Sequence, residues 1–449
     1  MLYRKWAKRI SVLVPLALAV TLVVEWMITR LGLLSTDGWA GHVGDLFALL
    51  GMVGLVMMVG LGTRLPLVEK AFGLDRVYRF HKVLGAGVLT IFLAHALLRT
   101  LVFSQQHGEA WAFFWGFAGK NWALAWGHWA FFGLVFVALV AILGRRKLSF
   151  WIWKNIHLLV YPAVLLGFVH AAFLGKKEWG HLPNLAVYVV LAVLLLGFLL
   201  ARAWNHFTQV KKSVWLVDQV KPASRGATVL RLRCPLGSGA FADRRAGQFA
   251  ILRVRQGKGW SAPHPFTISS PPHSEYLEFT IKAQGLFSSS VAQWKPGTQV
   301  LCEGPFGVFD VDPESPRRLV MISAGVGITP FLSILRWAAH QGLSKSFVLF
   351  SANRTHDDLI AAEELAELTE KLDLKVVHLL SRPERPLESH GSAVIFLQGR
   401  LEAGLMGEHA EFQNAEVLLC GPESLQKVLV PELKRRLGVS SVRREVFFF

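Results

Sequence analysis

The chain has 449 residues, 53% of them hydrophobic and 18% charged, with a mean hydropathy of +0.40. That is too apolar for an ordinary soluble protein and places at least about half of it in lipid. The net charge of +17 comes without any basic-aromatic strand module and so does not indicate nucleic-acid binding; Cys234, Cys302 and Cys420 lack zinc or disulfide spacing and read as unpaired thiols in a reducing compartment.

Apolar runs near residues 9–29, 43–62, 82–103, 127–144, 152–174 and 183–204 come first. Each approaches the roughly 20 residues that cross a bilayer as a helix, so residues 1–208 are predicted to form a six-helix transmembrane bundle. The first run has no small-residue cleavage site and reads as a retained span. Sixteen Lys and Arg mark one side: Arg4, Lys5, Lys8, Arg9, Arg64, Lys70, Arg76, Arg79, Lys82, Arg145, Arg146, Lys147, Lys154, Arg202, Lys211 and Lys212. The opposite loops carry five, Arg30, Arg99, Lys120, Lys176 and Lys177. The positive-inside rule then puts the N-terminus and everything after residue 205 in the cytosol of a multi-pass protein of the cell (inner) membrane. Much of the basic excess is therefore a topology signal.

Ionisable side chains inside spans are costly and mark function. The third run brings His81 and His95, the fifth His157 and His170. Neutral imidazole is a good axial ligand for haem iron, and two helices bearing two histidines each can clamp two haems. His81 and His95 are 14 residues apart, roughly 21 Å of rise and about 40° of rotation, so they share a face. The 13-residue step from His157 to His170 gives about 220° on an ideal helix, and Pro162 between them offers a kink that shifts the phase. Depth pairs His81 with His157 on the cytosolic side and His95 with His170 on the far side. His42 and His128 lack such partners and read as packed polar residues. Arg99, one turn beyond His95, reads either as an interfacial snorkelling residue or as a partner of a haem propionate or acceptor.

After residue 210 the texture turns β-rich, in "ATVLRLRC", "QFAILRV" and "LEFTIKA", which predicts an antiparallel barrel over residues 209–314. In "HPFTISS" (264–270), Thr267 suits a hydrogen bond to the reactive nitrogen of a flavin, and Phe266 or Pro265 a place beside its ring. Gly285 and Ser288 in "IKAQGLFSSSV" open a predicted helix whose first amides suit a pyrophosphate. From 315 to 449 strands and helices alternate, as in a parallel α/β sheet. In "AGVGITPFLSILR" a strand ends at Ser323, Gly325 and Gly327 admit a pyrophosphate close to the backbone, and a helix starts near Thr329 and Pro330. "LLCGPESL" sets Cys420, Gly421 and Pro422 beside a nicotinamide, with Cys420 open to reading as a buried strand thiol. Arg354, Ser381 and Arg382 follow the next two strands at the ligand-binding edge. A cation there suits a 2′-phosphate and favours NADPH, with NADH as the alternative. Phe449, last of "REVFFF", fits either as a cover over the flavin ring, displaced by nicotinamide, or as part of a buried last strand.

Assembled in this order, the paired histidines, "HPFTISS", "GVGITP" and "CGP" make the chain resemble the ferric reductase/NADPH oxidase superfamily over nearly its full length. The resemblance implies a ferredoxin-reductase-like FAD barrel and NADP-binding domain, and bis-histidine b-type haems on His81, His95, His157 and His170. It also implies flavin contacts from His264, Pro265, Phe266 and Thr267, and NADPH contacts at Gly325, Gly327, Thr329, Pro330, Cys420, Gly421 and Pro422. Ser288 stands where the family commonly has Thr, and Leu286 where it commonly has Asp. The histidine intervals resemble the NADPH oxidase branch, and the short N-terminus, without a calcium-binding segment, suggests a prokaryotic, constitutively active form. The expected activity is electron transfer from cytosolic NADPH through FAD and two haems to a far-side acceptor, with dioxygen favoured. A ferric chelate is the alternative acceptor. A second alternative is a reductase feeding a partner membrane protein, although no partner subunit is indicated.

Overall fold

The computed structural model describes residues 38–63, 68–69, 72–107, 122–144, 147–174, 182–212, 214–234, 241–389 and 391–445, with 16–17, 20–21 and 23–24. The chain divides into two compact units, residues 1–207 and 208–449.

In the first unit, five described helices are long and apolar enough to cross a membrane: Gly38–Gly62, Arg76–Gln105, Trp122–Leu143, Phe150–Leu174 and Leu185–Trp204. They match the second to sixth apolar runs. The first run, 9–29, lies outside the described residues apart from six helical positions, so the described bundle has five spans where the sequence predicted six. We label its helices α1 (Gly38–Gly62), α2 (Leu74–His107), α3 (Trp122–Leu143), α4 (Phe150–His157), α5 (Val160–Leu174) and α6 (Leu182–Lys212).

Lipid and protein interior are equally apolar, so close packing of small residues drives helix association. On α1, a Cβ at Gly51 would lie 2.7 Å from the Phe92 ring and one at Gly54 2.6 Å from a Val88 methyl. These two glycines let α2 approach α1. The core of the bundle holds Met52, Leu55, Val56, Val88, Val164 and Leu191, while Ile142, Val193, Leu196 and Leu200 stay exposed on the outer face, as lipid-facing residues do.

The fifth run is helical on both sides of a break at Leu158–Leu159. The cause is Pro162, which has no N–H to give to the Leu158 carbonyl. Tyr161 N–H donates to that carbonyl instead (3.1 Å), and Leu159 N–H donates to Ile156 (3.0 Å). Both are i−3 bonds of a tighter turn, where each residue advances about 120° rather than about 100°. The break changes the phase between His157 and His170 in the direction the sequence asked of Pro162, and it lies one turn before the proline.

The second unit holds two sheets. Strands β1 (Val214–Ser224), β2 (Ala227–Arg233), β3 (Phe249–Gln256), β4 (Gly259–Trp260), β5 (His264–Thr267), β6 (Tyr276–Lys282) and β7 (Gln299–Phe306) form an antiparallel sheet. Its order is β4-β3-β7-β1-β2-β6, with β5 on β3, around a core that includes Trp215, Leu252 and Phe279. Strands β8 (Leu319–Ala324), β9 (Phe347–Asn353), β10 (Leu374–Leu380), β11 (Val394–Gln398), β12 (Glu416–Cys420) and β13 (Val442–Glu445) form a parallel sheet in the order β11-β10-β9-β8-β12-β13. One face packs on α8 (Thr329–Gln341) and α9 (Ala362–Lys371), the other on α10 (Ala403–His409) and α11 (Glu423–Leu437). The α7 turn (Leu286–Ser290) lies between β6 and β7.

The α8 helix also ties the two sheets together. Ser333 Oγ donates to the Ser270 carbonyl (2.9 Å), and Arg336 donates to the Ser269 carbonyl (2.8 Å) while pairing with Glu364 (2.6 Å). Burial works against the Arg336 charge, but the Glu364 carboxylate outweighs it and holds the guanidinium above its ordinary pKa.

Candidate functional site

In the parallel sheet the chain runs outwards from β8 through β9, β10 and β11, then returns to the other side of β8 as β12. Ligands bind at the carboxyl ends of strands where the order reverses like this. Ser323 on β8 and Cys420 on β12 are register partners at that point. After β8 comes a single turn, Gly325–Ile328, and then α8, with Pro330 in its first turn. Gly325 has φ +54°, where a side chain would be strained. A Cβ at Gly327 would collide with the Cys420 carbonyl, and one at Gly421 would lie 3.3 Å from the Ala324 Cβ. The two turns therefore interlock through glycine. Thr329 Oγ1 donates to the Val326 carbonyl (3.0 Å), closing the turn.

The Cys420 side chain is fully buried in the sheet core. Burial, then the nearby Glu445 charge, raises the thiol pKa well above its ordinary value, so it stays protonated. Its backbone carbonyl is what faces Gly327 across the two turns. Gln426, which the sequence did not single out, is 1% exposed and donates to the carbonyls of Gly421 (2.9 Å) and Glu445 (2.7 Å), bracing this turn from behind.

Arg354 and Arg382 are exposed beyond the ends of β9 and β10. Ser381 N–H donates to the Asn353 carbonyl (3.1 Å) and Arg382 N–H to the Arg354 carbonyl (2.8 Å). The ladder thus continues past the strands and sets Arg354 beside Ser381 and Arg382 on the carboxyl edge.

On the antiparallel sheet, β5 carries the "HPFT" segment along β3, with Thr267 opposite Phe249 and Phe266 opposite Ala250. Thr267 is 4% exposed, and its hydroxyl is buried without a partner among the described residues. An unpaired buried donor is costly, and a ring nitrogen of a bound flavin would satisfy it. His264 and Phe266 lie on one face of β5 and stack on Phe287, at 3.8 Å and 6.0 Å between ring centroids. Burial lowers the His264 pKa, which favours the neutral ring. Phe287 was not singled out in the sequence, although it adjoins Ser288. The predicted helix opened by Gly285 is only the five-residue α7, because Ser288 Oγ turns back to the Gly285 carbonyl (3.2 Å) and accepts from Gln284 N–H (2.9 Å). The Ser288 hydroxyl is thus occupied in closing the turn. Phe449 lies outside the described residues.

In the membrane unit, His81 on α2 and His157 on α4 face each other with ring centroids 6.3 Å apart. A metal bound at about 2 Å by one nitrogen of each ring sets the centroids roughly 6–6.5 Å apart, so this pair fits one iron between them. Trp153, a residue not foreseen, stacks on His157 at 5.3 Å with the planes 10° apart. At the other depth His95 Nδ1 meets the Gly44 carbonyl and His170 Nδ1 the Ala123 carbonyl, both at 2.8 Å. A carbonyl has no proton, so both Nδ1 atoms donate and both Nε2 atoms keep a lone pair for a metal. A Cβ at Gly127 would overlap the His170 ring, so this glycine makes room for it. His128 Nδ1 bonds the Leu124 carbonyl of its own helix at 3.0 Å. Arg99 pairs with Asp45 at 3.6 Å, which neither reading of Arg99 anticipated. The three cysteines are free thiols.

Residues 47–168 match the family described as ferric reductase like transmembrane component, and residues 321–430 match the oxidoreductase NAD-binding domain. The plasma membrane-associated coenzyme Q6 reductase of Saccharomyces cerevisiae is 30% identical over 217 residues, 46% of this chain and 68% of the relative. The sulfhydrogenase 2 subunit gamma of Pyrococcus furiosus is 26% identical over 205 residues, 44% of this chain and 69% of the relative. Of some other curated relatives the chain spans only about half the length. The FAD/NAD-binding domain of the nitric oxide dioxygenase from Vibrio cholerae covers 52% of this chain and 98% of its own, at 25% identity and a TM-score of 0.45.

Proposed function

The chain belongs to the ferric reductase-type membrane oxidoreductases that use NAD(P)H, and from that premise we propose that it moves electrons from cytosolic NADPH across the bilayer to a one-electron acceptor. When bound, FAD and two b-type haems would supply hydride acceptance and single-electron transfer. The observation that carries this reading is the pair of rings on separate helices, His81 and His157, 6.3 Å apart. It is supported at the second depth by His95 and His170, each held by a carbonyl of another helix. In this reading the N-terminus and the reductase unit are cytosolic.

The residues divide the work. The turn of Gly325, Gly327, Thr329 and Pro330 admits the dinucleotide pyrophosphate, and Cys420, Gly421 and Pro422 border the nicotinamide through their backbone. Thr267 donates its unpaired hydroxyl to the flavin, and His264, Pro265 and Phe266 line the flavin face, with Gly285 and Ser288 shaping the turn beyond it. Phe449, outside the described residues, would be the cover over the flavin ring that nicotinamide displaces. Arg354, Ser381 and Arg382 receive a 2′-phosphate.

The last assignment predicts a separation of cofactors. Arg354→Ala and Arg382→Ala are each expected to raise KM for NADPH about tenfold or more, since a charge-assisted hydrogen bond contributes roughly 1.5–3 kcal/mol. KM for NADH should stay within about twofold. Steady-state kinetics with both nucleotides measures this, and equal losses on both would remove the 2′-phosphate role.

Gly127→Val is expected to push His170 out of line and cost about half of the bound haem, because a close-packed helix interior cannot absorb the added carbons. A pyridine haemochrome assay reads the haem content, and full haem content would show that His170 does not need that space.

If His81, His157, His95 and His170 hold the haem irons, an acceptor would be reduced without ligating metal. The histidine spacing favours dioxygen, giving superoxide, over a ferric chelate or a partner membrane protein. The deciding assay follows NADPH oxidation by the purified protein with and without superoxide dismutase and a ferric chelate. Cytochrome c reduction that superoxide dismutase suppresses supports dioxygen. Turnover that appears only with the chelate supports iron, and turnover that needs a co-purified partner supports the relay.

A further inference from the structure

The two histidine pairs differ in how the charge beside them is balanced. Beside the far-side pair, Arg99 has the Asp45 carboxylate at 3.6 Å. Beside the cytosolic-side pair stands Arg202 of α6, and no carboxylate reaches it among the described residues. Its guanidinium donates to the Gly62 carbonyl at 2.9 Å and lies over the Tyr161 ring at 5.3 Å. Both contacts are next to the histidines: a Cβ at Gly62 would be 3.8 Å from His81 Cε1, and Tyr161 follows His157 by one turn. Arg202 is also within electrostatic reach of the His157 ring. A part-buried guanidinium has five N–H donors in a planar fork suited to a carboxylate, and one carbonyl and one aromatic face leave most of them unused. The same neighbourhood holds other donors without acceptors. Among the described residues the Nδ1 of His157 and the Nε1 of Trp153 are buried and unpartnered, and the His81 ring has only the Met58 backbone beside it, in contrast to the bonded Nδ1 atoms of His95 and His170.

A part-buried guanidinium beside one histidine pair, met by no carboxylate among the described residues, calls for an anionic acceptor. Resting on the haem reading above, we propose that Arg202 is the counter-charge of the group held between His81 and His157 and takes a propionate carboxylate of that haem. The far-side site, whose cation is already neutralised by Asp45, has no such demand. Arg202 is a positioning residue in this role: it anchors the haem edge and, as a fixed positive charge, favours the reduced iron.

The test uses the full-length protein in lipid nanodiscs, with spectroelectrochemical titration of the haem. In a His95→Ala/His170→Ala background only the cytosolic-side pair is complete. There R202Q is expected to make the haem about tenfold harder to reduce, a fall of about 59 mV for one electron, and R202K to recover most of that. In the complementary His81→Ala/His157→Ala background, R202Q is expected to leave the potential unmoved. No shift in the first background, or an equal shift in both, overturns the proposal and leaves Arg202 as an interfacial anchor for lipid phosphate. If R202Q does not assemble, the first background with Arg202 intact still decides. It is expected to bind haem about tenfold more tightly than haem dimethyl ester, whose propionates carry no charge, about 1.4 kcal/mol, and equal affinity overturns the proposal. A parent protein with no Soret band under ample porphyrin supply would instead overturn the haem reading on which this rests.

Discussion

His170→Ala is expected to lower NADPH-driven reduction of the far-side acceptor by at least about a hundredfold, while reduction of the flavin by NADPH keeps its rate. Loss of a partner that merely orients a metal ligand costs about 10–100-fold, and His170 is proposed as the ligand itself. Its Nδ1 is held by Ala123 and its ring sits in the space left by Gly127. His128, within electrostatic reach of His170, has its Nδ1 tied to Leu124 on its own helix. Anaerobic stopped-flow absorbance at the flavin band measures the first half of the reaction, and steady-state acceptor reduction the second. Acceptor turnover equal to the parent's in this variant would sink the two-haem relay.

Gly327→Val should have an effect of similar size at the other end of the path. The added side chain would meet the Cys420 carbonyl, and the turns after β8 and β12 would have to part. Overpacking of this kind costs roughly 1–3 kcal/mol in stability. The loss in nucleotide use is larger, because both turns that define the crevice move. A fall in kcat/KM for NADPH of about a hundredfold, near 2.7 kcal/mol, is expected, with haem content and dithionite reduction of the haems retained. Those two retained properties separate a local effect from misfolding, since the histidines belong to the other compact unit. Unimpaired NADPH oxidation would mean that the dinucleotide does not enter between these turns.

Much of the candidate site was legible before any fold. The four histidines stood out because ionisable groups in apolar runs are rare, and the glycines at 325 and 327 because a strand followed by glycine and then Pro330 has few other uses. Other features left no local mark. Gly44 and Ala123 act through backbone carbonyls, which every residue has, so nothing in their identity announced them. Asp45 was visible as a charge in a span, yet its partner Arg99 is 54 positions away and on another helix. Gly285 and Ser288 do open a helix, Leu286–Ser290, but its small-residue context did not show how short it is or that the Ser288 hydroxyl bonds back to Gly285.

The sequence by itself determined the element types, the five described spans and the antiparallel-then-parallel order of the reductase sheets, and it supplied the candidate residues for the chemistry. Those properties follow from hydropathy, periodicity and turn chemistry within about 20 neighbouring residues. Tertiary structure alone decided which groups meet. It set His81 across from His157, closed Gly327 against Cys420, gave His95 and His170 their carbonyl partners and brought Arg202 to Gly62, a contact between residues 140 apart in the chain. Such contacts depend on which small residues let helices and turns approach, and that is fixed by packing across the whole unit rather than by any one segment.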